Sequence, residues 1–222
     1  MTGPICFEYI NKLLESWNSW SNRHWGVVVD GQKDEKKAQL VRIAVETIRK
    51  HGIRKTTLED IADASGMAPP SMYYYFANKK DLLRAAISAL LDSAFEEIER
   101  AVALSPTPQE KLTATWKVLF REVEHSDFLL NPDRKVRSQI MEIADEFVSN
   151  FNARYRALVR KILSEGNKQG VFHVEGLDVT AALLSTGVWS ILLNHVNQVR
   201  SDITEAWLDE WGKLLMNGLK KR

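Results

Sequence analysis

Between His51 and Asn78 the helical spacing of apolar side chains is broken in quick succession, and this punctuation constrains the fold more than any other feature of the chain. Ahead of it, Ala38, Val41, Ala44, Val45 and Ile48 share one face of a helix that opens at Asp34 and stops at His51-Gly52, where glycine accepts a left-handed backbone. Thr57 then supplies an N-cap oxygen with Asp60 as its reciprocal partner, and Leu58, Ile61 and Ala62 give a short second helix its buried side. Ser65-Gly66-Met67 ends it. Pro69 and Pro70 follow, tolerated in a first turn because the amide hydrogens they lack would have no intrahelical acceptor. In the third helix that starts there, Met72 and Phe76 share the inward face, which turns Tyr73 and Tyr74 outward at about 100° per residue. Asn78 with Asp81 opens a fourth helix through Leu82, Leu83, Ala86, Ile87, Leu90 and Leu91. Two short helices joined at a glycine and backed by a longer one have the plan of a helix-turn-helix, whose second helix enters the major groove of DNA.

The net charge hides where an anionic partner would bind. Lys and Arg number 30 against 29 Asp and Glu, a formal charge of +1. Residues 35–84 hold ten basic and six acidic side chains, a local +4, so the remainder of the chain sums to −3. The anion-attracting surface is expected at this end.

Nearly everything after residue 34 has helical period, and alternating β-branched stretches are short, the best being Val27 to Val29 beside Asp30-Gly31. An all-α protein is expected. Residues 1–34 stand apart as an amino-terminal extension: Phe7, Ile10, Leu13, Leu14, Trp17 and Trp20 fall at helical spacing, and a linker follows, so an amphipathic helix is expected, docked on the protein's own body in preference to a partner or a membrane surface. Residues 35–82 form the helix-turn-helix domain and residues 83–222 a helical bundle. Helix four runs to Leu104, where Ser105-Pro106-Thr107-Pro108 marks a boundary. Further helices are expected near 108–126, 132–145, 146–169, 177–199 and 203–219, the second and third of these either separate or fused.

Composition narrows the function classes. The single cysteine, Cys6, can make no internal disulfide, and five scattered histidines provide no metal-ligand spacing, so neither metal nor cofactor is expected. No apolar run approaches the roughly 20 residues of a membrane span, and Glu8 and Glu15 interrupt any signal-peptide pattern, so a cytoplasmic chain with no membrane partner is expected. There is no GxSxG, no phosphate-cradling glycine loop and no paired His-and-carboxylate helix motif, which argues against an all-α enzyme. A ligand-binding helical dimer without DNA binding is the other alternative, and the intact cap, turn and Lys79 argue against it.

The run Gly52-Ile53-Arg54-Lys55-Thr56-Thr57-Leu58-Glu59-Asp60-Ile61-Ala62, through Gly66-Met67, to Ser71-Met72-Tyr73-Tyr74-Tyr75-Phe76-Ala77-Asn78-Lys79-Lys80-Asp81-Leu82-Leu83 resembles the TetR (tetracycline-repressor-like) family of bacterial transcriptional regulators. The likeness spans residues 36–85, and Ala68 stands where the family's recognition helix has a small polar cap. The resemblance implies that Lys55 and Thr57 meet backbone phosphate, that Pro69, Ser71, Tyr73 and Tyr74 face the groove, and that Tyr75 and Lys79 lie on the phosphate side. A tyrosine triplet is also what core plus surface would give, and Thr57 is a cap in either case. None of these residues makes the bidentate arginine-guanine or asparagine-adenine pair, so no base preference follows.

The last two helices carry Val179, Leu183, Leu184, Val188, Ile191, Leu192 and Val196, then Ala206, Trp207, Trp211, Leu214, Leu215 and Leu219, more apolar coverage than one core stripe requires. A two-fold homodimer through these helices, reading a palindromic operator in double-stranded DNA, is expected in preference to helices buried wholly within one subunit. The resemblance further implies a repressor released when a small-molecule effector fills the bundle. Trp116, Phe120, Phe147, Phe151, Tyr155 and Trp189 would line that site, suiting a largely apolar ligand, although core packing explains them equally. His125 and His195 are candidate polar anchors.

Overall fold

The structure, a computed structural model, describes residues 31–53, 55–124, 134–197 and 205–219 of the 222-residue chain. Among the described residues there are eight helices and no strand: α1 (Gly31–His51), α2 (Leu58–Ser65), α3 (Pro69–Met72), α4 (Lys79–Leu104), α5 (Pro108–Glu124), α6 (Arg134–Lys168), α7 (Leu177–Asn197) and α8 (Glu205–Leu219). The all-α expectation holds, and the two helical stretches expected between 132 and 169 are one continuous helix. The tryptophan-bearing amino-terminal helix, the Val27–Val29 stretch and His125 lie outside the described residues, as do the side chains of His195, Val196, Ala206 and Trp207.

The described chain divides into two compact units. One takes the residues through Ser93 together with Ser138–Ala144, and the other takes the rest.

In the first unit residues 31–34, expected as linker, are helical and belong to α1. The helix buries Leu40, Val41, Ala44 and Ile48, while Ala38 and Val45 are only half-buried. Leu40 and Ala44 are fully buried, and positions 40, 41, 44 and 48 form one stripe at the helical period. α1 packs on α2, and α2 on α3. Leu58, Ile61 and Ala62 point inward as their spacing requires, with Met72, Phe76, Leu82, Leu83, Ala86 and Ile87 completing the core.

In the second unit α5 packs against both α7 and α8. Its start is capped at Thr107, whose amide donates to Glu110 Oε2 at 3.1 Å while the Glu110 amide donates to Thr107 Oγ1 at 3.3 Å. The core holds Leu112, Trp116, Phe120, Phe151, Tyr155, Ile162, Leu163, Leu184 and Val188. α6 ends where the Phe172 ring lies directly over Gly166, a place no β-carbon could share.

Candidate nucleic-acid interface

Thr57 has an extended backbone (φ −116°, ψ 169°), and its hydroxyl accepts from the Asp60 amide at 3.1 Å, while the Thr57 amide donates to Asp60 Oδ2 at 2.7 Å. Two amides that a helix start leaves without partners are thereby satisfied. Asp60 is also an electrostatic centre. The Thr57 hydrogen bonds, hydroxyl first and then amide, hold its carboxyl below the usual range, and the nearby charges of His51 and Lys79 act in the same direction. Lys79 is half-buried at the first position of α4. Its partial withdrawal from water lowers its pKa, and the Asp60 carboxylate opposes that effect. Two site candidates far apart in sequence, Thr57 and Lys79, are thus joined through a carboxylate the sequence reading treated only as a cap partner.

α2 closes at Gly66, in the left-handed region at φ 67°, and the Met67 amide donates back to the Ala62 carbonyl at 2.9 Å. An L side chain at that φ is strained, so glycine is needed for the turn. α3 has no side-chain cap because Ala68 carries no acceptor. The helical part of this segment is a single turn, shorter than the sequence pattern suggests. After Met72 the amides of Tyr73, Tyr74 and Tyr75 donate to carbonyls three residues back, at 3.3, 3.3 and 2.9 Å, which tightens the coil. The Phe76 amide still reaches the Met72 carbonyl at 2.9 Å, so the two inward residues stay aligned.

The expected division of sides follows from that alignment. Met72 and Phe76 are buried, while Tyr73 is 56% and Tyr74 62% exposed, and Tyr75 is half-buried with its ring edge-on to Tyr74 at 5.1 Å. Lys55, Thr57, Pro69 and Ser71 are exposed as well. An exposed surface of hydroxyls, phenols and ammonium groups can donate to phosphate oxygens and pack ring edges on sugars or thymine methyl groups. Among the described residues no three His, Cys, Asp or Glu side chains are grouped to hold a metal ion. None of the described helices is long and apolar enough to cross a membrane.

The expected effector residues fall into two groups in the second unit. Phe151 stacks with Tyr155 at 6.4 Å and meets Trp189 and Phe95 edge-on, each at 5.7 Å. Trp116 meets Trp211 at 5.2 Å instead. The Tyr155 hydroxyl and Thr115 Oγ1 share a buried hydrogen bond at 2.9 Å, and burial raises the phenol's pKa well above its usual value. Phe120 is buried and Phe147 half-buried. Phe95, Thr115 and Trp211 were not marked as effector-site residues by the sequence, and Trp211, placed there among the apolar positions of the dimer helices, meets Trp116 of its own chain.

Residues 40–86 match the model of the family described as bacterial regulatory proteins, tetR family. The chain is 26% identical over 153 residues to the HTH-type transcriptional repressor KstR2 of Mycobacterium tuberculosis, covering 68% of this chain and 76% of that protein. The solved structure of that ketosteroid transcriptional regulator covers 84% of this chain and 96% of its own, with a TM-score of 0.53 at 20% identity. The fatty acid metabolism regulator protein of Bacillus subtilis is 28% identical over 153 residues, 68% of this chain and 77% of that protein. A transcriptional regulator from Cytophaga hutchinsonii has the same fold, with a TM-score of 0.66, 20% identity and coverage of 84% of this chain and 99% of that one. The capped α2, the Gly66 turn and the outward tyrosines all lie within residues 40–86, the stretch that matches the model of the bacterial regulatory proteins of the tetR family.

Proposed function

We propose that this chain is a dimeric, sequence-specific transcriptional regulator, a repressor that leaves a palindromic operator when a small, largely apolar ligand binds. The carrying observation is the outward pair Tyr73 and Tyr74 above the buried pair Met72 and Phe76, on a segment fixed by a capping box and a left-handed glycine. Lys55, Thr57, Pro69, Ser71, Tyr75 and Lys79 complete the DNA-facing set. The capture of duplexes from a random pool tests this reading, with recovery of inverted half-sites about one helical turn apart as the expected result. Failure to retain any duplex at low ionic strength would overturn it.

Dimerisation through α7 and α8 is supported by apolar side chains that a single chain leaves in water: Val179 at 65%, Leu183 at 68% and Leu214 at 65% exposure. Val179 and Leu183 are one turn apart on α7, so they offer a continuous strip to a second copy. The effector reading is supported by the aromatic cluster and by buried polar atoms that have no hydrogen-bond partner among the described residues, Trp116 Nε1, Trp189 Nε1 and Asn152 Oδ1 with them. Leaving such atoms unsatisfied costs about 1–3 kcal/mol each, and a ligand oxygen accepting from an indole would recover part of it. The names of the ketosteroid and fatty acid regulators suit the same chemistry, a large apolar body bearing oxygen. To release DNA, the ligand must bind the DNA-incompetent state more tightly.

A further inference from the structure

The first turns of α1 reach over the segment that carries the tyrosines. Lys33 Nζ stands 4.0 Å from the centre of the Tyr74 ring, and Lys37, one turn further on, lies 5.6 Å from the centre of Phe76. Tyr74 is mostly exposed, so burial alone does not fix its ring. Two contacts do: the Tyr75 ring edge and the ammonium over its face. The Lys37–Phe76 contact anchors the same stretch of α1 on the buried end of the segment, so the position of Lys33 is set by a helix. Lys33 precedes residues 40–86, the part of the chain that the family model matches. An ammonium has three donors, so it can meet a ring face and a phosphate oxygen at the same time.

We propose that Lys33 and Tyr74 act as one DNA-contacting unit. The ammonium holds the phenol in the orientation in which its hydroxyl meets the duplex, and offers its outward donors to a neighbouring phosphate. Lys33 is therefore a positioning residue for Tyr74 and a phosphate contact in its own right, extending the DNA footprint onto the start of α1. This inference rests on the DNA-binding reading above.

The test uses the full-length chain and a duplex it selects from a random pool, titrated over a range of salt concentrations. Lys33→Met keeps the stem and removes the charge. It is expected to weaken binding about fivefold to tenfold and to flatten the salt slope by about one. Lys33→Arg, which also stacks on aromatic faces, should restore both. In a Tyr74→Leu background the same Lys33→Met change should cost clearly less, because the ring it holds is gone. An unchanged slope, or an equal loss in both backgrounds, overturns the proposal while the DNA-binding reading stands. If the parent chain itself binds no duplex, both fall together.

Discussion

The indole of Trp116 closes on the α-carbon of Gly212, so that a β-carbon built there would stand 3.0 Å from Trp116 Cζ2. Trp116 is 2% exposed and braced by Trp211, so it has little room to withdraw. Alanine in a helix is favoured over glycine by up to about 1 kcal/mol, whereas overpacking a core costs about 1–3 kcal/mol. Gly212→Ala is therefore expected to lower stability in urea unfolding. In a Trp116→Phe background the smaller ring gives way, and the same change should be neutral or favourable. Equal effects in both backgrounds would show that the contact does not limit the approach of α5 to α8.

Removing the cap of α2 should loosen the first unit. Thr57→Ala loses the acceptor for the Asp60 amide and is expected to cost about 1 kcal/mol, while Thr57→Ser keeps the hydroxyl and most of the stability. Denaturant midpoints of the two variants check this, and coincident midpoints would remove the cap from the account.

The Lys111–Glu165 pair, 2.6 Å between Nζ and Oε1, gives the second unit a pH dependence of known sign. The Lys111 hydrogen bond holds the Glu165 carboxyl below its ordinary 4.5. Its contribution is fully present above 4.5 and is lost as pH falls through the lower folded value. Glu165→Gln should thus be less stable than the parent at neutral pH and converge with it in acid. Stability curves that stay parallel down to the acid limb would contradict the assignment.

Tyr73 and Lys79 should fail differently when truncated. Tyr73→Ala is expected to lower affinity for a selected duplex about tenfold while barely changing binding to mixed-sequence DNA. Lys79→Ala should weaken both alike and reduce the salt slope by about one. Fluorescence anisotropy titrations separate the two patterns, and identical behaviour of both variants would refute the division of roles.

Leu183 and Leu214 should report the dimer. A charge at either exposed position leaves the subunit core untouched but must be desolvated in an interface. Leu183→Glu and Leu214→Glu are expected to elute as monomers in light-scattering chromatography with helical content retained. Dimers that persist in both would move the interface elsewhere.

Local chemistry determined a large part of this protein from sequence alone. Thr57 with Asp60, Gly66, the proline pair and the Met72–Phe76 spacing each act within a few residues, so caps, turns and the outward tyrosines were legible without coordinates. The same signal stood unused at Thr107 and Glu110, where a capping box opens α5. Tertiary structure alone decided what depends on distant partners. Lys33 meets Tyr74 because α1 crosses the tyrosine segment, and Lys79 and Asp60 act on each other electrostatically although 19 positions separate them in sequence. Trp116 and Trp189, alike in sequence, join different ring neighbours for the same reason. Periodicity fixes which face of a helix is apolar, whereas the packing of helices against one another chooses which side chain lies opposite it.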